Sequence, residues 1–270
     1  MSTRTAKTRT KTGTTRSSPD AWIGVDIGGT GIKAGLVDIA SGTLIGDRIR
    51  VETPHPSKPD AVVAATAGLI SALGSDHPVG IGFPAPFVGG VTMMAANIDR
   101  SWVGVDAGEA FAAEIGRPCA ILNDADAAGL AEIGFGAGRD QPGVTLLLTL
   151  GTGIGSALFL DGKLVPNTEL GHIEVRGKAG EHRAAASVRE NKGLSWKRWA
   201  ARLNEYIDTV DRVIWPDLVI LGGGVSKHAN KWLDHLTVRP RVVPAQHRNE
   251  AGCVGAALYA HAAFGVSGTA

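Results

Sequence analysis

Three groups of side chains in this 270-residue chain are of types and spacings that could do chemistry together. Asp26 stands at the mouth of a glycine-rich turn, Gly28-Gly29-Thr30-Gly31, with Lys33 just beyond it. Glycines let the backbone turn tightly and bring its N–H groups close to a ligand, and successive N–H groups make an anion-binding concavity. Thr30 adds a hydroxyl donor and Lys33 a point charge. Alone, this stretch fits either a phosphate-binding hairpin or an ordinary tight turn. Asn123-Asp124 follows Cys119 to Leu122, an apolar run that reads as a buried strand. Ligands of α/β sheets bind just beyond the carboxyl ends of strands. Asp124 is therefore a candidate general base, a role worth ~10²–10⁴ in rate, and Asn123 can hydrogen-bond a hydroxyl through both its O and its N. Glu169 and His172, three apart, are a carboxylate and an imidazole of the kind that hold sugar hydroxyls. His172 alone fits a structural histidine equally well, and it has no clustered cysteine partners for a metal.

The elements that must position these groups can be read from apolar periodicity. Ile23 to Ile27 and Ile32 to Val37 are strands on either side of the first turn, and Thr43 to Val51 is a third. Asp60 to Leu73 and Asp106 to Ile115 have helical spacing, and Val79 to Phe83 and Val88 to Met94 read as strands. Ala127 to Phe135 is a helix directly after the Asn123-Asp124 pair. The clearest internal feature is Leu148 to Asp161, which repeats the strand–glycine-turn–strand plan around Gly151-Thr152-Gly153. Its distance from the first copy suggests two similar halves facing each other, though only the first carries the acid, because Asp26 falls on Thr149. Trp196, Trp199, Leu203 and Tyr206 recur as a core-facing helical stripe. Leu218 to Leu221 is a buried strand ending in Gly222-Gly223-Gly224, Val238 to Val243 a last strand, and Asn249 to Phe264 a closing helix.

Hydrophobic residues make up 44% of the chain and charged residues 20%, a globular composition. A formal net charge of +1 argues against wholesale nucleic-acid binding. That charge is uneven. Residues 1–20 hold Arg4, Lys7, Arg9, Lys11 and Arg16 with Thr and Ser between them, a composition expected of a disordered basic tail. No secretory segment and no long apolar run occurs, so a cytoplasmic protein without a membrane span is expected. Cys119 and Cys253 sit alone in apolar settings, as buried small hydrophobes rather than a disulfide or a metal site.

Neither a Walker A sequence nor a Rossmann fingerprint is present. Two hairpin turns facing across a cleft suit phosphoryl transfer, in which the protein positions a phosphate chain, offsets its charge and places an acceptor hydroxyl in line. Asp26-Ile27-Gly28-Gly29-Thr30, Asn123-Asp124-Ala125, Leu150 to Gly155, Glu169-Leu170-Gly171-His172 and Leu221 to Gly224 occur in the order found in the ROK family of sugar kinases and repressors. The resemblance covers about residues 21–264. It implies an α/β chain of the actin-like ATPase (ribonuclease-H-like) fold, with two α/β domains around a central cleft. The small N-terminal domain would take residues 21–122 plus 248–264, and the larger C-terminal domain residues 123–247. Asp124 would be the base that takes the proton of a sugar 6-hydroxyl. Asn123, Asp124, Glu169, His172 and, at looser spacing, Glu181 would hold sugar. Gly28, Gly29, Thr30, Lys33, Gly151, Thr152 and Gly153 would hold the donor phosphates, Gly222 to Gly224 the nucleoside, and Asp26 a Mg²⁺ ion. A homodimer is the family's expectation.

Departures from the family sharpen the reading. Many members bind zinc through the counterpart of His172 and a cysteine-rich segment after it. This chain has no cysteine between Cys119 and Cys253, so no zinc site is expected. Only about 20 residues precede the first strand here, so the repressors' N-terminal DNA-binding domain is not expected. The zinc-less form, with Asn167-Thr168-Glu169, Leu194-Ser195-Trp196 and a basic segment after Glu-Leu-Gly-His, resembles the members that use inorganic polyphosphate. Arg183, Arg189, Lys192, Lys197 and Arg198 are candidates for a polyphosphate groove, since a polyanion needs a row of cations. A solvated helix face explains them equally well. The implied activity is phosphoryl transfer from polyphosphate, with ATP as a further donor, to glucose or mannose. An ATP-only glucokinase and a non-catalytic sugar sensor are the alternatives.

Overall fold

The computed structural model describes residues 20–265, so all of the expected basic tail except Asp20 lies outside the described residues. The first half runs β1 (Ala21–Gly28), β2 (Gly31–Asp38), β3 (Thr43–Val51), α1 (Pro59–Leu73), β4 (Val79–Phe83), β5 (Phe87–Val88), β6 (Val91–Thr92), α2 (Ala107–Ile115), β7 (Cys119–Asn123) and α3 (Asp124–Phe135). The second half starts with β8 (Val144–Leu150), β9 (Ile154–Leu160) and β10 (Lys163–Val165). The two-residue strands β11 (Glu174–Val175) and β12 (Lys178–Ala179) follow, then α4 (Glu181–Ala184), α5 (Ala186–Asn191) and α6 (Trp196–Ile214). β13 (Leu218–Gly222), β14 (Arg241–Pro244) and α7 (Ala251–Phe264) complete it.

The strands form two five-stranded sheets, ordered β3-β2-β1-β4-β7 and β10-β9-β8-β13-β14. In each, an antiparallel meander is extended by two parallel strands. The same order and sense occurring twice is the actin-like, ribonuclease-H-like fold. The repeat of glycine turns seen in the sequence is thus the repeat of the β1–β2 and β8–β9 hairpins.

Each sheet is buried by its own helices. Trp199, Leu203, Tyr206, Ile207 and Val210 follow the helical period along one face of α6 and pack on Leu146, Leu148, Val219 and Leu221. In the first sheet Ile23, Val25, Val79 and Ile81 meet Val62, Ile70, Trp102 and Phe111. Buried tryptophans find partners for their N–H groups, as Trp102 Nε1 does on the Ser57 carbonyl and Trp199 Nε1 on that of Ala184, both at 2.9 Å. Cys253 is buried and Cys119 half-buried; both are free, and desolvation pushes each thiol up to about 12.

Three expectations are corrected by backbone chemistry. Val88 to Met94 is not one strand but the small hairpin β5–β6, turned at Gly89 and Gly90, whose φ of 59° and 86° break the run. The last strand starts at Arg241 rather than Val238, because Pro240 has no N–H for the ladder and pairing with β13 begins only at Arg241. α3 starts at Asp124 rather than Ala127, because Asn123 caps it: its Oδ1 accepts from the N–H groups of Ala125 and Asp126 at 2.9 and 3.3 Å.

α3 and α7 cross at backbone contact. A Cβ at Gly255 would lie 1.6 Å from the Ala127 carbonyl oxygen, and one at Gly24 in β1 would lie 1.9 Å from that of Cys253. Gly255→Ala should therefore destabilise the fold by about 3 kcal/mol or more, since overpacking against backbone has no side chain to yield. Gly68→Ala in α1, where a Cβ meets nothing within 4 Å, should be neutral or stabilising by up to about 1 kcal/mol. Urea unfolding midpoints of the two variants measure the contrast.

Candidate active site

A cavity of about 770 Å³ lies between the two sheets. Gly28, Gly29 and Thr30 line it from the β1–β2 turn and Gly151, Thr152 and Gly153 from the β8–β9 turn. Asn123 and Asp124, at the end of β7 and the start of α3, lie between them, and Glu169, His172 and Glu181 complete the wall. The carboxylate, the two turns and the hydroxyl-binding candidates thus share one space.

A smaller cavity of about 200 Å³ shares Asp124, Thr149 and Gly223 with the first. Asp26, Lys33, Gly222 and Gly224 face this second space. Lys33 Nζ lies 2.7 Å from Asp26 Oδ2, so the cation expected on the donor phosphates is paired with the neighbouring acid and sits apart from Gly28 to Thr30. Neither turn owes its glycines to a left-handed φ. At Gly153 the requirement is close approach: a Cβ there would lie 2.3 Å from Glu181 Oε2, which also accepts from the Ile154 N–H at 3.3 Å. The other oxygen, Glu181 Oε1, stands 3.7 Å from Nε2 of both His172 and His182.

Asn123 differs from expectation in one respect. Its Oδ1 is taken by the cap of α3, which leaves only the NH₂ group for a ligand. Asp124 is half-buried, and its carboxyl is raised to about 7. Loss of solvation is the main cause, followed by the Asp26 charge; the Ala125 N–H opposes it, and Glu169 and Asp126 add to the rise. Asp126 is also raised to about 7, mainly by burial, and burial raises Glu169 too.

The proposed groove residues line neither cavity. Arg183 is pinned to Glu205 at 2.6 Å, beside Arg176 on the same carboxylate at 2.7 Å. Arg189 stacks 4.0 Å above the Trp196 ring, while Lys192, Lys197 and Arg198 are exposed. Other residues at the site carry no motif of their own. Arg50 Nη2 donates to the Thr30 carbonyl at 2.7 Å and Thr53 Oγ1 to that of Gly28 at 2.5 Å. From β3 and the segment after it, these two side chains hold the carbonyls of the first turn. The only sequence signal for Arg50 is its place opposite Lys33 on the adjacent strand. His182, Pro84, Pro86 and Asn97 also line the larger cavity.

Among the described residues no group of three or more His, Cys, Asp or Glu is placed to hold a metal ion. Mg²⁺ needs no such cage, because it binds through one or two carboxylates plus water and substrate phosphates. Asp26, a hard oxygen donor facing the smaller cavity, fits that demand. No helix among the described residues is long and apolar enough to cross a membrane.

Comparison with known proteins adds four findings. Residues 22–193 match the ROK family. The polyphosphate glucokinase of Mycobacterium tuberculosis H37Rv is 49% identical over 236 residues, 87% of this chain and 89% of that protein. Among solved structures, the inorganic polyphosphate/ATP-glucomannokinase of Arthrobacter sp. strain KM superposes with a TM-score of 0.87 at 47% identity, over 90% of this chain and 99% of that one. A ROK family glucokinase from Streptomyces griseus, in complex with glucose and AMPPNP, gives 0.75 at 26% identity, over 88% and 98%.

The raised Asp124 carboxyl sets two pH dependences with opposite signs. A carboxyl acting as base must be ionised, so if Asp124 is that base, turnover at low substrate should fall about tenfold per pH unit below about 7. Its folded value lies above the unfolded 3.8, so its contribution to stability is fully present below about pH 4 and is lost as pH rises through about 7. Asp124→Asn should therefore melt higher than wild type at pH 8, with a smaller gain at pH 5, while losing activity at both. Melting curves and initial rates across this range check both signs.

Proposed function

Because this chain belongs to the ROK family, we propose that it is a hexose kinase that moves a phosphoryl group from inorganic polyphosphate to the 6-hydroxyl of glucose. ATP serves as a second donor and mannose as a second acceptor. The observation that carries the reading is a single cavity in which Asp124 and Asn123 lie between two facing glycine turns, with Glu169, His172 and Glu181 on its wall. The choice of donor rests on the relatives at 49% and 47% identity, both named for polyphosphate.

In this reading Glu169, His172, Glu181 and the Asn123 NH₂ hold the sugar hydroxyls. They place the 6-hydroxyl against Asp124, which takes its proton. The freed oxygen attacks the terminal phosphorus of the donor, a new O–P bond forms, and the bridging P–O bond to the rest of the chain breaks. The products are the sugar 6-phosphate and a polyphosphate one residue shorter, or ADP. Backbone N–H groups of Gly28 to Thr30 and Gly151 to Gly153 bind the donor's terminal phosphates, and Gly222 to Gly224 receive the nucleoside when ATP is used. Asp26 would hold Mg²⁺, which would supply positive charge to the phosphates when bound. The cytoplasm and a homodimer complete the proposal, on the family's pattern; light scattering checks the second against a chain mass of 27.9 kDa.

The decisive assay is glucose with either donor. Glucose 6-phosphate should form from polyphosphate at a rate comparable with or above that from ATP, and no product from polyphosphate would overturn the donor assignment. Asp124→Asn should lower turnover ~10²-fold or more while glucose still binds. Neutralising Arg189, Lys192 and Arg198 together should raise KM for long polyphosphate more than KM for ATP. Equal effects on both donors would return these side chains to the solvated face.

A further inference from the structure

The sugar side of the cleft is spanned by one side-chain clasp. Asn167 lies just beyond β10, in the half built on the second sheet, and takes a φ of 62°, a left-handed conformation that asparagine tolerates better than most residues. Its side chain reaches across to Phe87, the first residue of β5 in the other half, and makes both amide hydrogen bonds to that backbone. The Phe87 N–H donates to Asn167 Oδ1 at 2.9 Å, and Asn167 Nδ2 donates to the Phe87 carbonyl at 2.8 Å. The N–H of Asn167 itself donates to Asp126 Oδ2 at 2.9 Å. Asp126 is 1% exposed and sits on α3, two residues beyond Asp124. One residue therefore ties together the Phe87 segment, the helix that carries Asp124, and the loop that leads to Glu169.

The clasp adjoins both walls of the cavity at the same end. Pro86 precedes Phe87, and Pro84 and Pro86 line the cavity on one side. Glu169 follows Asn167 by two residues and lines it with His172 on the other. Two prolines in four residues make the first wall stiff, so fixing Phe87 fixes the wall. The Phe87 ring is held in turn against Phe83, with centroids 5.7 Å apart. The donor turns at Gly28 to Thr30 and Gly151 to Gly153 make no hydrogen bond to any member of the clasp.

We infer that Asn167 is a positioning residue for the sugar: it sets the gap between the Pro84–Pro86 wall and the Glu169–His172 wall, and so the fit of the hexose but not of the phosphoryl donor. This rests on the proposed sugar site, and the test separates the two. Asn167→Gly keeps the left-handed backbone and the N–H to Asp126 while removing the clasp. Asn167→Asp keeps the acceptor for the Phe87 N–H but turns an oxygen toward the Phe87 carbonyl. Glucose affinity by titration calorimetry should weaken about tenfold in both variants: Asn167→Gly loses both hydrogen bonds between the walls, and Asn167→Asp loses one and sets a carboxylate oxygen against the Phe87 carbonyl. KM for polyphosphate should stay within about twofold of wild type, a split that general loss of structure would not produce. Hydrogen exchange at the Phe87 amide, which needs no substrate, should quicken in Asn167→Gly. Unchanged glucose affinity in Asn167→Gly, equal losses for sugar and donor, or an equally protected Phe87 amide would each overturn the inference. Wild-type protein that binds no glucose, with a Phe87 amide that does respond to the substitution, would overturn the sugar reading and leave the clasp standing.

Discussion

Two helices touching backbone to backbone fix the relation of everything else. α3 leaves the end of the first sheet and packs on the second, where Gly129 leaves room for the Phe159 ring and Ala157. α7 lies on β1 with Gly24 against its backbone, and the two helices meet at Gly255 and Ala127. Such contacts have no side chain to rearrange, so the angle between the sheets is held stiffly where the helices cross. Two of the three carboxylates of the smaller cavity, Asp26 and Asp124, begin at this crossing. Asp124 is the first residue of α3, and Gly252, near the start of α7, lies so close to Asp26 that a Cβ there would be 2.7 Å from its carboxyl carbon.

That placement concentrates negative charge where, in the proposed function, a polyanion binds. Asp26, Asp124, Asp126 and Glu169 are close enough that charge among them raises Asp124, after desolvation has raised it most. The site offsets this in part with Lys33, whose ammonium spans to Asp26, and with backbone amides in both turns. Arg50 and Thr53 hold two carbonyls of the first turn from β3 and just beyond it. The remaining negative charge suits a divalent cation, because a cation shared by carboxylates and phosphates brings together groups that would otherwise repel. The same cluster keeps Asp124, the proposed base, near neutrality, where a proton can be both taken and passed on.

The fold was legible because its signals are periodic and repeated. Alternation in β1, β2, β8 and β9, glycine at matching places in both hairpins, and a helical stripe from Trp199 to Tyr206 all survive translation into three dimensions. Boundaries were less legible where one residue decides them: Pro240 delays β14, Gly89 and Gly90 fold a run into a hairpin, and Asn123 starts α3 three residues early. Within the cavity, residues that belong to motifs could be named beforehand. Arg50, Thr53 and His182 could not, and Asn167 stood out only as part of a run shared with the polyphosphate-using members, without its role. Arg50, Thr53 and Asn167 each act through a contact with a residue far along the chain, such as Phe87 for Asn167, 80 positions away, and no local pattern encodes such a distance. The basic segment was legible as charge only, since the sequence could not tell that Glu205 would take Arg183 or that Trp196 would lie beneath Arg189.

The cap on α3 has a consequence for the direction in which hydrogen bonds run. Because two helix N–H groups occupy the oxygen of Asn123, its amide cannot flip without uncapping the helix, and toward the cavity it can only give protons. In the proposed chemistry, a hydroxyl bound by Asn123 must receive a proton there and point its own elsewhere. The adjacent carboxylate of Asp124 can only receive one while ionised. The pair is thus a polarised relay, with donor on one side and acceptor on the other, and it orients the O–H bond toward the base before any phosphate arrives. A side chain whose sequence role is to start a helix thereby also gives the reacting hydroxyl its sense.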